Sequence, residues 1–419
     1  SPFSLDDETL VYAIVRDITD RKEAEREILR SRLFLNTLLD SQEQVIVTTD
    51  GTIIHTCNEA FKKFYGITAL EEFTARYDCI CDTFDTEAPD GFLQKQMGEY
   101  SWIEYVLAFP EKTHKAQITW DEKTFIFSVS AAELPLDEYL LSAVFTDITL
   151  LEQQREALAE LHEKVSDSIE YASLIQHALI PNNGIFERHF SDYMAIWKPR
   201  DIVGGDIYLA ESISEDEILV MVIDCTGHGV PGAFVTMLVK AVERQIIANA
   251  ASKDERISPA KMLQVFNRSI KHLLQQESDD SVSNAGFDAG ILYYNKKERI
   301  VRFAGAEIAM YMFHRSVLTT VKGDRHSIGY KQSDVDYEFT DHELEALEGT
   351  QLYVTTDGYI DQNGGLKGFP FGKKRFKGVL EESQSLTMEE QKHNMLEILR
   401  EYQGDYETND DITVVGVKL

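Results

Sequence analysis

A seven-residue phrase occurs twice in this chain, as Ala-Ile-Val-Arg-Asp-Ile-Thr at 13–19 and as Ala-Val-Phe-Thr-Asp-Ile-Thr at 143–149, so that Asp17 recurs 130 residues later as Asp147. In each copy a short apolar strand ends in Asp-Ile-Thr and runs into a charged helical stretch, at 20–32 and at 150–164. An Asp or Thr at such a junction can accept the first free N–H groups of a helix, so both phrases read as exits from the same kind of domain. A chain of 419 residues built this way holds more than one domain. Residues 1–19 read as the tail of one copy, 20–32 as a linker helix, 33–149 as a complete copy, 150–181 as a second linker and 182–419 as a domain of another kind.

Within 33–149, the stretches 45–49 and 52–57 alternate like paired strands, and Asp50-Gly51 supplies the turn between them. Asn58 stands where a helix N-cap is wanted, ahead of Glu59-Ala60-Phe61. Further strands are expected around 102–109, 115–120, 124–131 and 139–145. The hairpin, the Asn58-Glu59-Ala60-Phe61 helix start and the closing Asp147-Ile148-Thr149 together resemble a PAS domain. That resemblance implies an antiparallel sheet with flanking helices and a sensory or dimerising role. The Asn-Cys motif of photoactive flavin PAS domains is absent, and His55 and His114 read as structural histidines rather than haem ligands.

The second linker carries a heptad register, with Leu151, Leu158, Val165, Ala172 and Leu179 at a, and Leu161 and Ile175 at d. Gln154 and Ser168 are the polar exceptions at d. About four such heptads are enough for a coiled coil. The expected assembly is a parallel homodimer through the PAS copy and this linker; the other reading is an amphipathic helix lying on its own domain.

The formal charge of −31 repels phosphate backbones, so nucleic acid is not an expected partner. Four cysteines, Cys57, Cys79, Cys81 and Cys225, include no Cys-x-x-Cys pair, and free thiols in a reduced cytoplasm are expected. No signal peptide opens the chain and no run approaches the roughly 20 apolar residues of a membrane helix. The first residue is Ser1, so attachment to a membrane through a segment upstream stays open.

After Pro181 carboxylates gather at strand ends. Asp201-Ile202-Val203-Gly204-Gly205-Asp206-Ile207-Tyr208 leads into a strand. The apolar run 218–223 ends at Asp224 and is followed by Cys225-Thr226-Gly227-His228-Gly229-Val230-Pro231-Gly232-Ala233, a glycine-rich turn feeding a helix. A strand over 352–356 ends at Asp357-Gly358, and Asp410-Asp411 precedes a strand over 412–418. Hard divalent cations take carboxylate oxygens, carbonyls and water, and glycine lets the main chain approach them closely. Two such ions can share a carboxylate and lower the pKa of a bridging water toward ~7, which suits in-line attack on phosphorus. Cys225 lacks the phosphate-cradling loop of a cysteine phosphatase.

The region from about 168 onward resembles the PPM (PP2C-type) phosphatases, in their bacterial SpoIIE/RsbU-like branch. The resemblance rests on Ile175-Gln176-His177-Ala178-Leu179-Ile180-Pro181, Val203-Gly204-Gly205-Asp206-Ile207-Tyr208, Asp224-Cys225-Thr226-Gly227-His228-Gly229, Thr356-Asp357-Gly358-Tyr359 and Asp410-Asp411-Ile412-Thr413. It implies an α+β chain in which a PAS domain and a coiled-coil linker precede a β-sandwich flanked by helices, here those around 230–250 and 259–274. It implies two Mn²⁺ or Mg²⁺ ions, with Asp224 bridging both, the Cys225 carbonyl and Asp206 serving the second, and Asp357 and Asp410 holding the first. Asp411, where many relatives carry Asn, would stand behind the ligands. His228 would either donate a proton to the leaving alkoxide or orient water. Arg200 and Lys198 are the candidates for gripping phosphate. The implied substrate is a phosphoserine or phosphothreonine form of a STAS-domain, anti-anti-sigma-type protein, and the linker helix would act as a switch set by the PAS dimer. Two other readings remain: a phosphatase-like protein that binds a partner without hydrolysis, and a diguanylate cyclase, whose Gly-Gly-Asp-Glu-Phe signature is matched only at Gly204-Gly205-Asp206.

Overall fold

The computed structural model describes residues 3–5, 8–10, 16–17, 19–135, 140–253, 256–278 and 281–419, and the chain divides into two compact units, Ser1–His162 and Glu163–Leu419. Residues 13–15 and Ile18 of the first repeated phrase, and Tyr139 of the last expected PAS strand, lie outside the described residues. The two copies make the same junction. Asp17 Oδ1 accepts the N–H and the hydroxyl of Thr19 at 2.9 and 2.6 Å, and Asp147 Oδ1 accepts those of Thr149 at the same distances. Each junction starts a helix, Thr19–Asp40 in one case and Thr149–His177 in the other. The first runs past the expected end at 32 because neither glycine nor proline interrupts it before Asp40.

In the first unit five antiparallel strands form one sheet, in the order Ile54–Cys57, Val45–Thr49, Leu141–Asp147, Lys123–Glu133, His114–Trp120. Burial alternates along Val45–Thr49, so one face packs on a core that includes Phe61, Phe73, Trp102 and Phe145. Asn58 caps the helix Glu59–Tyr65, its side chain accepting the Phe61 N–H. The second strand begins at Ile54 rather than 52, because Asp50 Oδ1 takes the N–H groups of Thr52 and Ile53 out of the ladder. The segment Trp102–Ala108, expected as a strand, is a helix. Ser101 and Glu104 cap its first turn reciprocally, and Trp102, Ile103 and Val106 bury one helical face, which outweighs the β-preference of those side chains. Cys79 and Cys81, expected as free thiols, are joined as a disulfide. The turn that leads into Ile80–Thr83 holds their Cα atoms 5.1 Å apart, within reach of such a bridge. Cys57 and Cys225 are free.

The linker helix Thr149–His177 (α1) exposes Leu151, Leu158, Leu161 and Val165 along its length. Leu179, assigned to the fifth a position, is not on it: α1 stops at His177 and Leu179 packs against the core of the second unit. Among the described residues no helix is long and apolar enough to cross a membrane.

The second unit is a sandwich of two five-stranded antiparallel sheets. Its strands are β1 (Asp192–Lys198), β2 (Asp206–Ser212), β3 (Glu217–Cys225), β4 (Phe287–Asn295), β5 (Ile300–Ala306), β6 (Met310–His314), β7 (Val317–Val321), β8 (His342–Glu345), β9 (Gln351–Thr355) and β10 (Ile412–Lys418). One sheet has the order β1-β10-β9-β6-β7 and the other β2-β3-β4-β5-β8. Val220, Val222, Leu292 and Phe303 meet Met310, Leu352, Val354 and Val415 between the sheets. Helices α2 (Gly229–Lys253) and α3 (Pro259–Leu273) cover the outer face of the second sheet through Val239, Leu263 and Phe266. Helices α4 (Lys373–Ser383) and α5 (Met388–Gln403) cover the first through Phe376, Leu380 and Met395. This α+β layering explains why β3 is apolar almost throughout: both of its faces are buried, so no polar alternation is required.

Candidate metal centre

Antiparallel pairing brings one end of β2, β3 and β4 to the same edge, and each strand carries an aspartate there. Asp206 lies directly opposite Asp224, and Asp224 directly opposite Asp288, so three carboxylates form one row across neighbouring strands. The other sheet delivers two loops to this row. Thr356 and Asp357 follow β9, while Asp410 and Asp411 precede β10. The Thr356 hydroxyl donates to Asp206 Oδ2 at 2.6 Å and accepts the Thr413 N–H at 3.0 Å, which locks the two sheets together at the site.

Two glycines make this convergence possible. A Cβ on Gly205 would lie 2.3 Å from the Gly227 carbonyl oxygen and 2.7 Å from that of Cys225. One on Gly204 would strike the Asp411 carboxylate at 2.6 Å. Asp411 accepts the Arg200 N–H on Oδ1 at 2.7 Å and the Gly205 N–H on Oδ2 at 2.6 Å. Both of its oxygens therefore serve the main chain of the 200–205 loop, so Asp411 shapes the site rather than facing it.

The carboxylates repel one another. Burial and then the Asp224 charge push the acid of Asp206, which is 2% exposed, far above the usual carboxylate range. Asp224 is raised by burial and by Asp357, Asp410 and Asp288. Burial pushes Asp288 up to about 6, with Glu307 and Asp357 adding to the effect, and its Oδ1 is buried without a hydrogen-bond partner. Asp357 is raised by burial, Asp361 and Asp410. A site that crowds acids without neutralising them suits a bound cation. Among the described residues no three carboxylate, imidazole or thiol side chains converge closely enough to enclose an ion by themselves. Ions such as Mg²⁺ keep several waters and take one or two carboxylates each, and the residues fit ions held in that manner.

Asp224, Asp288, Glu307, Asp357, Asp361 and Lys373 line a cleft of about 310 Å³ beside this row. Arg200 and Lys198, the candidates for phosphate, are not among its lining residues; both are exposed, and the Arg200 guanidinium donates to the Asn409 carbonyl at 3.1 Å. Lys373, at the start of α4, is the cation that does line it. His228 also stands apart from the lining, on the exposed glycine turn, with Nδ1 2.9 Å from Asp201 Oδ2. Sequence reasoning missed Asp288 and Lys373. Asp288 repeats the signal used for Asp206, a lone aspartate at the edge of a buried strand, whereas nothing near Gly372-Lys373 announces a cleft.

Residues 214–419 match the family profile described as stage II sporulation protein E (SpoIIE). The solved SiaA-PP2C domain of Pseudomonas aeruginosa is 34% identical to this chain, with a TM-score of 0.56 over 62% of this chain and 99% of that domain. The PP2C phosphatase domain and regulatory fragment of SpoIIE from Bacillus subtilis is 12% identical, with a TM-score of 0.40 over 70% of each chain. The catalytic domain of the serine threonine protein phosphatase PstP, in complex with two manganese ions, is 16% identical with a TM-score of 0.39, over 54% of this chain and 96% of that one. No match was found among the curated proteins.

Proposed function

Because the chain belongs to the PP2C-type, metal-dependent protein phosphatases of the SpoIIE group, we propose that it hydrolyses phosphoserine or phosphothreonine on a partner protein at the carboxylate cleft, under control of its N-terminal unit. The observation that carries this reading is the register that lines up Asp206, Asp224 and Asp288 and sets them against the Asp357 and Asp410 loops.

Asp224, at the middle of the row, would serve both of two Mn²⁺ or Mg²⁺ ions. Asp206 and the Cys225 carbonyl would serve one of them, and Asp357 and Asp410 the other. Bound there, the ions supply a water acidic enough to act as hydroxide near neutral pH and charge to offset that of the phosphoryl group. Thr356 keeps Asp206 turned toward Asp224, and Asp411 holds the 200–205 loop in place. Lys373 provides the positive charge beside Asp357 that an incoming phosphate monoester needs. His228, whose Nδ1 is engaged by Asp201, keeps Nε2 for passing a proton to the leaving group or for orienting water.

The first unit, with its antiparallel sheet and capped helices, is read as a PAS sensor. The exposed leucines of α1 support parallel pairing of two chains through this helix. The partner is read as a STAS-domain, anti-anti-sigma-type phosphoprotein. The test of the chemistry is hydrolysis of p-nitrophenyl phosphate with and without Mn²⁺. Metal-dependent turnover is expected in the wild type, with a loss of roughly 100-fold or more in Asp224→Asn. Turnover that ignores both the metal and the substitution would rule the mechanism out.

A further inference from the structure

We infer that the loop between Asp361 and Lys373 is a docking surface for an acidic stretch of the partner protein, next to its phosphorylated residue; this rests on the phosphatase reading above. The loop leaves the carboxylate cleft at Asp361 and returns to it at Lys373, and both residues line that cleft. Between them stands a hairpin in which Asn363–Gly364 pairs with Phe369–Pro370. Its charge runs against that of the chain. Residues 362–380 hold Lys367, Lys373, Lys374, Arg375 and Lys377 and neither Asp nor Glu, in a protein whose formal net charge is −31. None of these cations enters an ion pair among the described residues, and all but Lys377 are exposed. Positive side chains left unneutralised on an acidic molecule attract anionic partners and repel cationic ones. Glu382 and Glu401 share a separate groove with Arg375, and neither lines the cleft. Leu366 is fully exposed and Phe369 is 62% exposed on the same loop, where they offer apolar contact to a partner.

The loop is braced at its base and along its length. Gln362, which is buried, donates from Nε2 to the Glu407 carbonyl at 2.9 Å, and its Oε1 accepts the Asn409 N–H at 3.2 Å. The Gly372 N–H donates to the Ile360 carbonyl at 2.7 Å and closes the base. The Gly365 N–H donates to the Tyr402 carbonyl at 2.7 Å, and the Tyr402 hydroxyl donates to the Phe369 carbonyl at 2.9 Å. Arg375 belongs to this bracing: its guanidinium donates to the Phe371 carbonyl at 2.6 Å and lies 5.0 Å from the centre of the Tyr402 ring. A surface already held in shape loses little freedom when a partner covers it. An anionic lipid surface would find the same charge and the same apolar side chains. The place of Lys373, on both the loop and the cleft, favours a protein segment, which can put a phosphorylated side chain into the cleft while its acidic neighbours lie along the hairpin.

The experiment gives the full chain, with Mn²⁺, two synthetic phosphoserine peptides of equal length, one flanked by Glu and the other by Lys. The wild type is expected to favour the Glu-flanked peptide in kcat/KM by about five-fold or more, and added salt should shrink the difference. Lys367→Glu combined with Lys374→Glu should turn the preference toward the Lys-flanked peptide, a reversal that misfolding does not produce. Hydrolysis of p-nitrophenyl phosphate by the same variant should stay within about two-fold of the wild type, because that substrate has no flanking residues to dock. A wild type that favours neither peptide, or a preference that the double substitution leaves unaltered, overturns the inference. Binding to phosphatidylserine vesicles that the substitution abolishes, with peptide turnover unchanged, overturns it in favour of a lipid surface. A wild type without Mn²⁺-dependent turnover of p-nitrophenyl phosphate or of either peptide removes the phosphatase reading itself, and is told apart because it fails before any peptide or variant is compared.

Discussion

Gly205 illustrates how little room the site leaves. Replacing it with Ala drives a methyl into the Gly227 and Cys225 carbonyl oxygens, both main-chain atoms that cannot rotate away. Gly205→Ala should cost about 1–3 kcal/mol in urea denaturation of the metal-free chain. His189 offers a pH test away from the cleft. It is 4% exposed, its Nε2 lies 2.8 Å from the Ser212 hydroxyl, and Nδ1 has no partner. Burial holds its pKa below the usual value, with Arg188 and Lys296 adding to the effect. The unfolded chain therefore binds the proton first, and stability is lost as pH falls below about 6.5. Denaturation midpoints measured between pH 5 and 7 should slope less in His189→Gln than in the wild type. The carboxylates on β2 and β3 and those flanking β9 and β10 were legible as strand-end aspartates, with Asp206 and Asp357 also beside glycine. Asp288 carries the same mark near the start of β4, between Phe287 and Ala289. The glycine contacts were legible only by half. A Gly-Gly pair signals close approach, but its partner, the Gly227 carbonyl, lies on another loop that no local pattern connects to it.

The element that links the chain's two halves is α1. If its exposed face pairs with a second copy, a charge on that face should disturb the pairing and leave the carboxylates untouched. Val165→Glu is expected to lower the dimer fraction in sedimentation by about ten-fold, and to alter regulated turnover of a phosphoprotein while p-nitrophenyl phosphate hydrolysis at saturating Mn²⁺ stays within about two-fold. Elements with strong periodicity or continuous burial could be read directly: β3, β10, α2 and α3 fall close to where the pattern placed them. Trp102–Ala108 could not be read from side-chain type, because its aromatic and branched residues favour strands. The Ser101–Glu104 cap was the stronger signal, and it depends on two residues rather than on a trend. Leu179 fits the heptad by arithmetic alone. The helix ends before it, at a proline-bearing turn that the heptad rule does not weigh.

The boundary between the compact units falls inside α1, so the last turns of that helix go with the sandwich. A fragment starting at Glu163 should therefore hydrolyse p-nitrophenyl phosphate at Mn²⁺ concentrations close to those of the full chain. One starting at 182 lacks Gln176, whose side-chain amide bonds both the carbonyl and the N–H of Gly204, and should be less stable than the first by about 1–3 kcal/mol. Urea denaturation of both fragments side by side checks this, and equal midpoints would count against it. The sandwich also ties together distant parts of the chain: β1 pairs along its whole length with β10, and the Ser191 hydroxyl donates to a carbonyl 227 positions away. During synthesis the first unit can complete its sheet early, since its strands are all made by Asp147. The sheet that contributes Asp357, Asp410 and Asp411 cannot close until β10 has left the ribosome. A nascent chain halted before that point has its first unit and linker helix but not the strand that carries Asp410 and Asp411 into place. If finished chains pair through α1, a halted chain would still present the pairing face of that helix while bringing no second set of carboxylates to the pair.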